Sequence, residues 1–420
     1  MAIYLKDATF IDWQTLSFRK CHVKVTEGLQ GRIECIDTIP NTQDTVLDCR
    51  GKLVTKSFAN GHHHVYSVLA RGMPLPPKTP SNFQDILQFI WWALDKALDL
   101  DIIRASALVT AINCAKNGVT FVIDHHSSPK TIIDSLTIIA EAFDQVGISH
   151  VLCYEMSDRD GLRASEKGLY ETEAYLSTGR QGLVGLHASF TVGESLLKKA
   201  VHLARRYNTG IHMHVAEDKI DQEHCLNHYG KRVVERLSDA GALESSRTLL
   251  AHCLHLSADE RKLVRQSPVF IVQNTESNLN NNVGSFDSKK LSQNIILGTD
   301  GMHSDMIRSA KAAFFAGQKQ RLTPLEIYGR FRKIHDYTGL NSFSGDYSNN
   351  LVIFNYDSPT EINDSNFVGH FVYGLESRHV ESVISSGRLI VQNRKLLTVD
   401  ENRILDFSRK MGKKLWSRLY

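Results

Sequence analysis

Hydrophobic positions in the middle of the chain switch between two periods. Short runs of β-branched and aliphatic residues, "VTFVIDHH" (119–126), "LVGLHAS" (183–189), "GIHMHVAE" (210–217) and "SPVFIVQN" (267–274), read as strands covered on both faces. "KLVTKSFANGHHH" (52–64), "ISHVLCYE" (148–155), "RTLLAHC" (247–253) and "NIILGTD" (294–300) bring the set to eight. Between them lie segments whose apolar residues return every three or four positions, among them "FQDILQFIWWALDKAL" (83–98), "DIIRASALVTAINCAKNG" (101–118) and "ESLLKKAVHLARRYN" (194–208). Strands alternating with helices in this way predict an α/β fold, a (β/α)8 TIM-like barrel.

The two ends follow another rule. In residues 1–55 and 345–420, apolar and polar positions mostly alternate with turn residues between them. Neither part is large enough to bury both faces of a sheet alone, so the two are expected to pair into one small β-sandwich. This gives a division into 1–55 (first sandwich half), 56–344 (barrel) and 345–420 (second half plus a terminal helix). Ile404, Phe407, Met411 and Leu415 define the buried face of that helix. "NTESNLNNNVG" (274–284) reads as a long ordered loop facing the barrel mouth.

Composition narrows the classes. Hydrophobic residues make up 42% and charged residues 23%, as in a globular protein with a large core. A net charge of +3 is too small to make nucleic acid or an anionic membrane the main partner. The basic cluster at 408–418 reads as the solvated face of the terminal helix. No targeting peptide or transmembrane span is legible, and the seven scattered cysteines, odd in number and without a CxxC pair, read as reduced thiols of a cytoplasmic protein. A homodimer is the default assembly.

Parallel barrels carry their chemistry at the C-terminal strand ends, and histidines and carboxylates collect there. His62 and His64, two apart, share one face of a strand, and His63 takes the other. Alone, such a pair is as readily a set of core or surface histidines as half of a metal site. His214 repeats the geometry above His212, which lies one layer deeper; Glu217 follows three residues on, and His252 and Asp300 end two further strands. A divalent ion held by imidazoles and one carboxylate, with a position left open, activates water near neutral pH. Glu217 is then free to shuttle protons. His125, His126, Glu155, Asn278 and His303 are candidates for substrate contact, with hydrogen bonding around the site as the alternative. Trp91 and Trp92 share an apolar helix face with Ile86, Phe89 and Leu94, which favours core packing over ligand stacking.

The order HxH, a lone histidine on the fourth strand, HxxE, a further histidine and a late "TDG" resembles the amidohydrolase superfamily. It is most similar to the ATZ/TRZ-like branch of cytosine, guanine, S-adenosylhomocysteine and chlorotriazine aminohydrolases. "HHHVYSVLARG", "WWALDKALD", "VIDHHSSP", "HASFTV", "HVAEDK", "NNNVG" and "LGTDGMHSDM" look like the SsnA-type members. The resemblance implies one Zn2+ (or Fe2+) on His62, His64, His214 and Asp300. It implies Glu217 as acid/base, His252 polarising the attacking hydroxide, Asp300 assisting deprotonation and His187 touching substrate. Binuclear relatives carry a lysine where this chain has "GLHASF", so a single ion is expected. The implied activity is hydrolytic deamination of an aminated purine, pyrimidine or pteridine. Cyclic amide hydrolysis or dehalogenation at the same centre, and a non-catalytic scaffold, are the alternatives. "ANG" before the HxH motif, "NNL" at 349–351 and a short stretch from Lys319 to Asp346 depart from the superfamily pattern.

Overall fold

The computed structural model describes residues 2–419. Five strands open the chain: β1 (Ala2–Ile11), β2 (Phe18–Thr26), β3 (Ile33–Ile36), β4 (Thr45–Asp48) and β5 (Leu53–Lys56). Eight follow in alternation with helices: β6 (Phe58–His63), β7 (Val119–His126), β8 (Ser149–Tyr154), β9 (Val184–Ala188), β10 (Ile211–Val215), β11 (Leu249–His252), β12 (Phe270–Gln273) and β13 (Ile295–Leu297). Four more close it: β14 (Leu351–Phe354), β15 (Val380–Ser385), β16 (Arg388–Gln392) and β17 (Lys395–Leu396).

The two ends of the chain share one sheet, in the order β17-β16-β15-β14-β5-β1-β2-β3, with β4 also on β1. β1 serves two neighbours in turn. Its first half pairs with β4, from Ile3 opposite Thr45 to Lys6 opposite Asp48. After an irregularity between Leu5 and Ala8, Thr9 and Phe10 pair with β5. Leu5, Ala8, Val23, Val25, Val54, Leu351, Ile353 and Ile384 form a core separate from that of the helices.

"KLVTKSFANGHHH", expected as one strand, is two. β5 belongs to the terminal sheet, antiparallel to β14, and β6 starts the parallel series beside β7. Ser57 is the hinge between them, and its turn frees two carbonyls from either ladder. The buried Arg332 guanidinium donates to both, at 3.0 Å from Lys56 O and 2.8 Å from Ser57 O.

The eight parallel strands form a three-stranded and a five-stranded group, β6-β7-β8 and β9 to β13. Bridges Leu152–Gly182 and Met156–Leu186 link one pair of edges, and His63–Asp300 links the other. At the second seam, the amides of Thr299 and Asp300 each donate to His62 O at 3.0 Å. Gly61 permits that approach, since a Cβ there would lie 2.9 Å from Leu297 O. The inner strand faces carry Ala59, Phe121, Ile123, Val151, Cys153, Leu249, Phe270, Val272 and Ile296, packed with Tyr337 and Phe343.

Three further expectations change. Thr275–Asn280 is a short helix within the segment read as a loop, anchored by Glu276, which pairs with His303 and Arg308. Cys21 and Cys35 form a disulfide, because the β2–β3 hairpin brings their Cα atoms to 5.8 Å; the other five cysteines are free and buried. Trp91 lines a cavity at the strand ends rather than packing wholly in the core. The terminal helix (Glu401–Trp416) docks as expected, with Lys414 Nζ 2.7 Å from Asp99 and Trp416 Nε1 donating to Leu69 O. No helix among the described residues is long and apolar enough to cross a membrane.

Candidate metal and active site

Each strand end delivers one or two side chains to a common point, and backbone carbonyls decide how the imidazoles face it. His64 Nδ1 lies 2.5 Å from His125 O, and His214 Nδ1 lies 3.1 Å from His187 O. A carbonyl only accepts, so both rings carry a proton on Nδ1 and turn Nε2 inward. His252 Nδ1 is 2.7 Å from Asn278 Oδ1, which leaves its buried Nε2 without a hydrogen-bond partner. His62 Nδ1 meets His212 Nε2 at 2.9 Å, and its own Nε2 is likewise buried and unpartnered.

These inward nitrogens surround Asp300. His64 Nε2 is 3.0 Å and His62 Nε2 3.5 Å from Asp300 Oδ1, and His64 and His214 Nε2 are 3.2 Å apart. A tetrahedral ion with bonds of about 2.0–2.1 Å has ligand edges of about 3.3–3.4 Å. Donor atoms of His62, His64, His214 and Asp300 all fall within 4.8 Å of one another and all four residues are buried. Lone pairs crowded this closely repel unless a cation lies among them, so the donor set fits a divalent metal. The cluster attracts positive charge: burial lowers His64, but Asp300 outweighs it and lifts the ring to about 9, so an ion that takes its Nε2 replaces a proton there. Burial holds His62 at about 3 and His214 well below its ordinary value, the neutral state that a ligand needs.

The strand ends are bent to make this aim possible. Ala216, His252, Cys253 and Asp300 all adopt positive φ, of 47°, 71°, 54° and 52°. Non-glycine residues accept that conformation at a cost, and such strain gathers at functional sites. Asp221 offsets some of it: its buried carboxylate accepts from Ala216 N at 2.9 Å and from Phe190 N at 3.0 Å, tying the loop before Glu217 to the loop after His187.

Glu217 stands across from the cluster, with Oε2 3.5 Å from His252 Nε2 and Oε1 3.3 Å from Asn281 Nδ2. Burial, helped by the Asp300 charge and opposed by His252, pushes its carboxyl up to about 7. A carboxyl poised near neutrality can both take and return a proton. A cavity of about 50 Å3 opens here, lined by His64, His187, His214, Glu217, Asn281 and Asp300, with Tyr66, Phe83, Leu87 and Trp91 over it.

Of the six residues expected to touch substrate, only His187 lines this cavity. His187 Nδ1 is fixed by Thr191 Oγ1 at 2.7 Å. Asn278 lies behind His252 as its orienting partner, and His126 turns to Ser128 Oγ at 3.0 Å. His303 is paired with Glu276 outside the cavity. His125 and Glu155 form a buried pair beside the metal cluster, with Nδ1 and Oε2 3.2 Å apart. His63 faces outward to Asp124 and Ser304. Sequence reasoning set His212 aside, yet it fixes the His62 ring. It also missed Asp221 and Asn281; for Asn281 the polar run "NLNNN" was the available signal.

Residues 53–390 match the family model described as the amidohydrolase family. A 5'-deoxyadenosine deaminase of Methanococcus maripaludis is 26% identical over 400 residues, covering 89% of this chain and 91% of that protein. A 5-methylthioadenosine/S-adenosylhomocysteine deaminase of Thermoanaerobacter pseudethanolicus is 28% identical over 406 residues, covering 89% and 90%. The crystal structure of a zinc-bound adenosine deaminase from Xanthomonas campestris superposes with a TM-score of 0.84 at 16% identity, over 99% of this chain and 98% of that one.

Proposed function

This chain belongs to the amidohydrolase family, and from that premise we propose that it is a metal-dependent hydrolytic deaminase of an aminated nitrogen heterocycle. The observation that carries the proposal is the set of inward-facing imidazole nitrogens around Asp300 with Glu217, raised to about 7, on the far side. His62, His64, His214 and Asp300 would hold the ion, zinc or iron. When bound, it supplies Lewis-acid chemistry that makes water a competent nucleophile at neutral pH.

The chain's own residues do the rest. Glu217 takes a proton from water at its carboxylate and returns it to the ring nitrogen or the departing amine. Its burial suits both tasks. His252 Nε2, aimed by Asn278, lies 3.5 Å from Glu217 Oε2 and 3.7 Å from Asp300 Oδ2, and steadies the charge that develops between them. His187, on the cavity wall, contacts the heterocycle, and Tyr66, Phe83, Leu87 and Trp91 keep bulk water out.

The relatives are named as deaminases of adenosine derivatives, which supports purine nucleosides as the first candidates to try. The bridged seams support reading the parallel strands as a closed (β/α)8 barrel over 56–344. The bend in β1, with its own core, supports a small sandwich built from 1–55 and 345–420. An ammonia-release screen of zinc- and iron-loaded protein against aminated purines, pyrimidines and pteridines tests the activity. Release of chloride from chlorotriazines, or ring opening without ammonia, would replace deamination with another hydrolysis.

A further inference from the structure

A second cavity, of about 630 Å3, lies between the turn that joins β1 to β2, the segment leading into β13 and the helix Pro324–Leu340. It shares no lining residue with the cavity at the strand ends. Small-molecule sites span about 300–1,000 Å3, so it has the size of one. Glu326, Gly329, Arg330, Lys333 and Asp336, three or four apart along the helix, form one wall, with Arg332 and Trp13 beside them.

Charge in this cavity does not balance. Lys333 Nζ pairs with Asp336 at 3.1 Å. Glu326 is taken by its own helix cap, its Oε2 accepting from Thr323 N at 2.7 Å and Thr323 Oγ1 at 2.8 Å. That leaves two guanidiniums, neither in an ion pair among the described residues. Arg330 donates only to uncharged groups, Gln273 Oε1 at 2.9 Å and Ser288 Oγ at 2.8 Å. The buried Arg332 donates to Tyr328 Oη at 3.2 Å and to the carbonyls of Lys56 and Ser57, with His335 Nε2 3.5 Å from its Nη1. Its Nη2 meets no acceptor among the described residues. The rings of Phe58, Tyr328 and Phe331 lie about Arg332 and offset only part of its charge. Amides, hydroxyls and carbonyls answer the hydrogens of a guanidinium but set no charge against it, and a cation drawn out of water without a counter-charge is costly. Burial accordingly holds Arg330 below its ordinary value, and Glu326 restores only part of the difference.

The space beside Arg330 is also left open. Gly329 sits inside a helix of 17 residues, and a Cβ there would meet nothing within 4 Å. Glycine costs a helix stability relative to alanine, and no neighbour demands it here. Its missing side chain bares the helix backbone to the cavity. Across from it, the half-buried Trp13 ring is fixed edge-on against His335, with centroids 5.0 Å apart.

We propose that this cavity binds a small organic oxyanion, a phosphate or carboxylate carried on a flat ring, with Arg330 and Arg332 on the anion and Trp13 against the ring. Guanidinium forks match the oxygens of either group. The site uses none of the residues of the metal centre and stands apart from the deaminase reading.

The test uses the full-length, metal-loaded protein with phenyl phosphate, benzoate and phenol as probes. Calorimetry is expected to show binding of phenyl phosphate, benzoate or both, with phenol weaker by about 10-fold or more. Comparing the two acids tells phosphate from carboxylate. Arg330→Gln keeps a hydrogen-bonding amide without the charge and should weaken acid binding by about 10- to 100-fold, with metal content unchanged. Gly329→Phe fills the open space and should abolish binding. The change in tryptophan emission on binding should be missing in Trp13→Phe. No binding of either acid at millimolar concentration overturns the proposal. Equal binding in the parent, Arg330→Gln and Gly329→Phe overturns it too, and places the anion elsewhere. Phenol binding as tightly as the acids would leave an apolar slot and overturn anion recognition. Should Arg330→Gln fail to fold by circular dichroism, Gly329→Phe decides. Ammonia release is not read in any arm, so failure here leaves the proposed activity untouched.

Discussion

Across the second seam, His64 Nε2 stands 3.0 Å from Asp300 Oδ1, while the Asp300 amide holds the carbonyl of His62. One residue thus holds both members of the HxH pair, their imidazoles by its side chain and the His62 backbone by its amide. Asp300→Asn keeps the size and removes the charge. It is expected to weaken metal binding by about 10- to 100-fold or more, and His62→Ala or His214→Ala should each lower occupancy well below the parent's. Elemental analysis after desalting measures it; full occupancy in all three variants would sink the ligand assignment.

Glu217→Gln is expected to fold and keep its metal, because no ligand in the reading is lost. Gln cannot carry a proton, so turnover should fall by about 100- to 10,000-fold. Ammonia release at saturating substrate measures it. A variant within a few-fold of the parent would refute the proton-shuttle role.

Asp221 touches the amides of Ala216 and Phe190, and it acts on Glu217 through that loop and through the repulsion of their two carboxyls. Asp221→Ala leaves two amides unpaired, at about 1–3 kcal/mol each. The expected outcome is a lower melting temperature and a fall in kcat larger than the change in KM, with metal retained. Unchanged kcat in a destabilised variant would mean that the ties support the fold but do not aim Glu217.

Acid should destabilise the protein through its buried histidines. Burial lowers His335 and His126 from 6.5 to about 4. Between those values the unfolded chain binds protons that the folded chain refuses. Stability is therefore present above about pH 6.5 and lost as pH falls toward 4, at about 1.4 kcal/mol per pH unit per histidine as an upper bound. His335→Gln, still able to meet Asp346, should flatten the fall in melting temperature between about pH 7 and pH 5. Identical slopes in parent and variant would count against it.

The sequence carried the eight inner strands because both-face burial imposes long aliphatic runs, and it carried His62, His64, His214 and Asp300 because strand phase points them one way. It did not carry the division at Ser57, where no Gly or Pro marks a break while the hydrogen-bonding partner changes from β14 to β7. Nor could it tell which polar strand-end residues face the cavity. His126 and Asn278 satisfy the same patterns as His187, but Ser128 and His252 claim them first. The Cys21–Cys35 bond depended on a hairpin register that the spacing of cysteines does not encode.

The pairing of β5 with β14 puts Leu351 opposite Lys56 in register. On the ribosome, β5 emerges early and its partner edge cannot arrive until nearly the whole barrel has been made. At about 5–20 residues per second that wait lasts on the order of tens of seconds. Throughout it, Leu53 and Val54 expose a strand edge that invites foreign strands. β6, fastened to β5 through Ser57, can settle beside β7 in the meantime, but the seam at Asp300 closes only late in synthesis. The proposed metal ligands are therefore assembled near the end of the chain's birth, and the nascent protein holds scattered histidines before it holds a site.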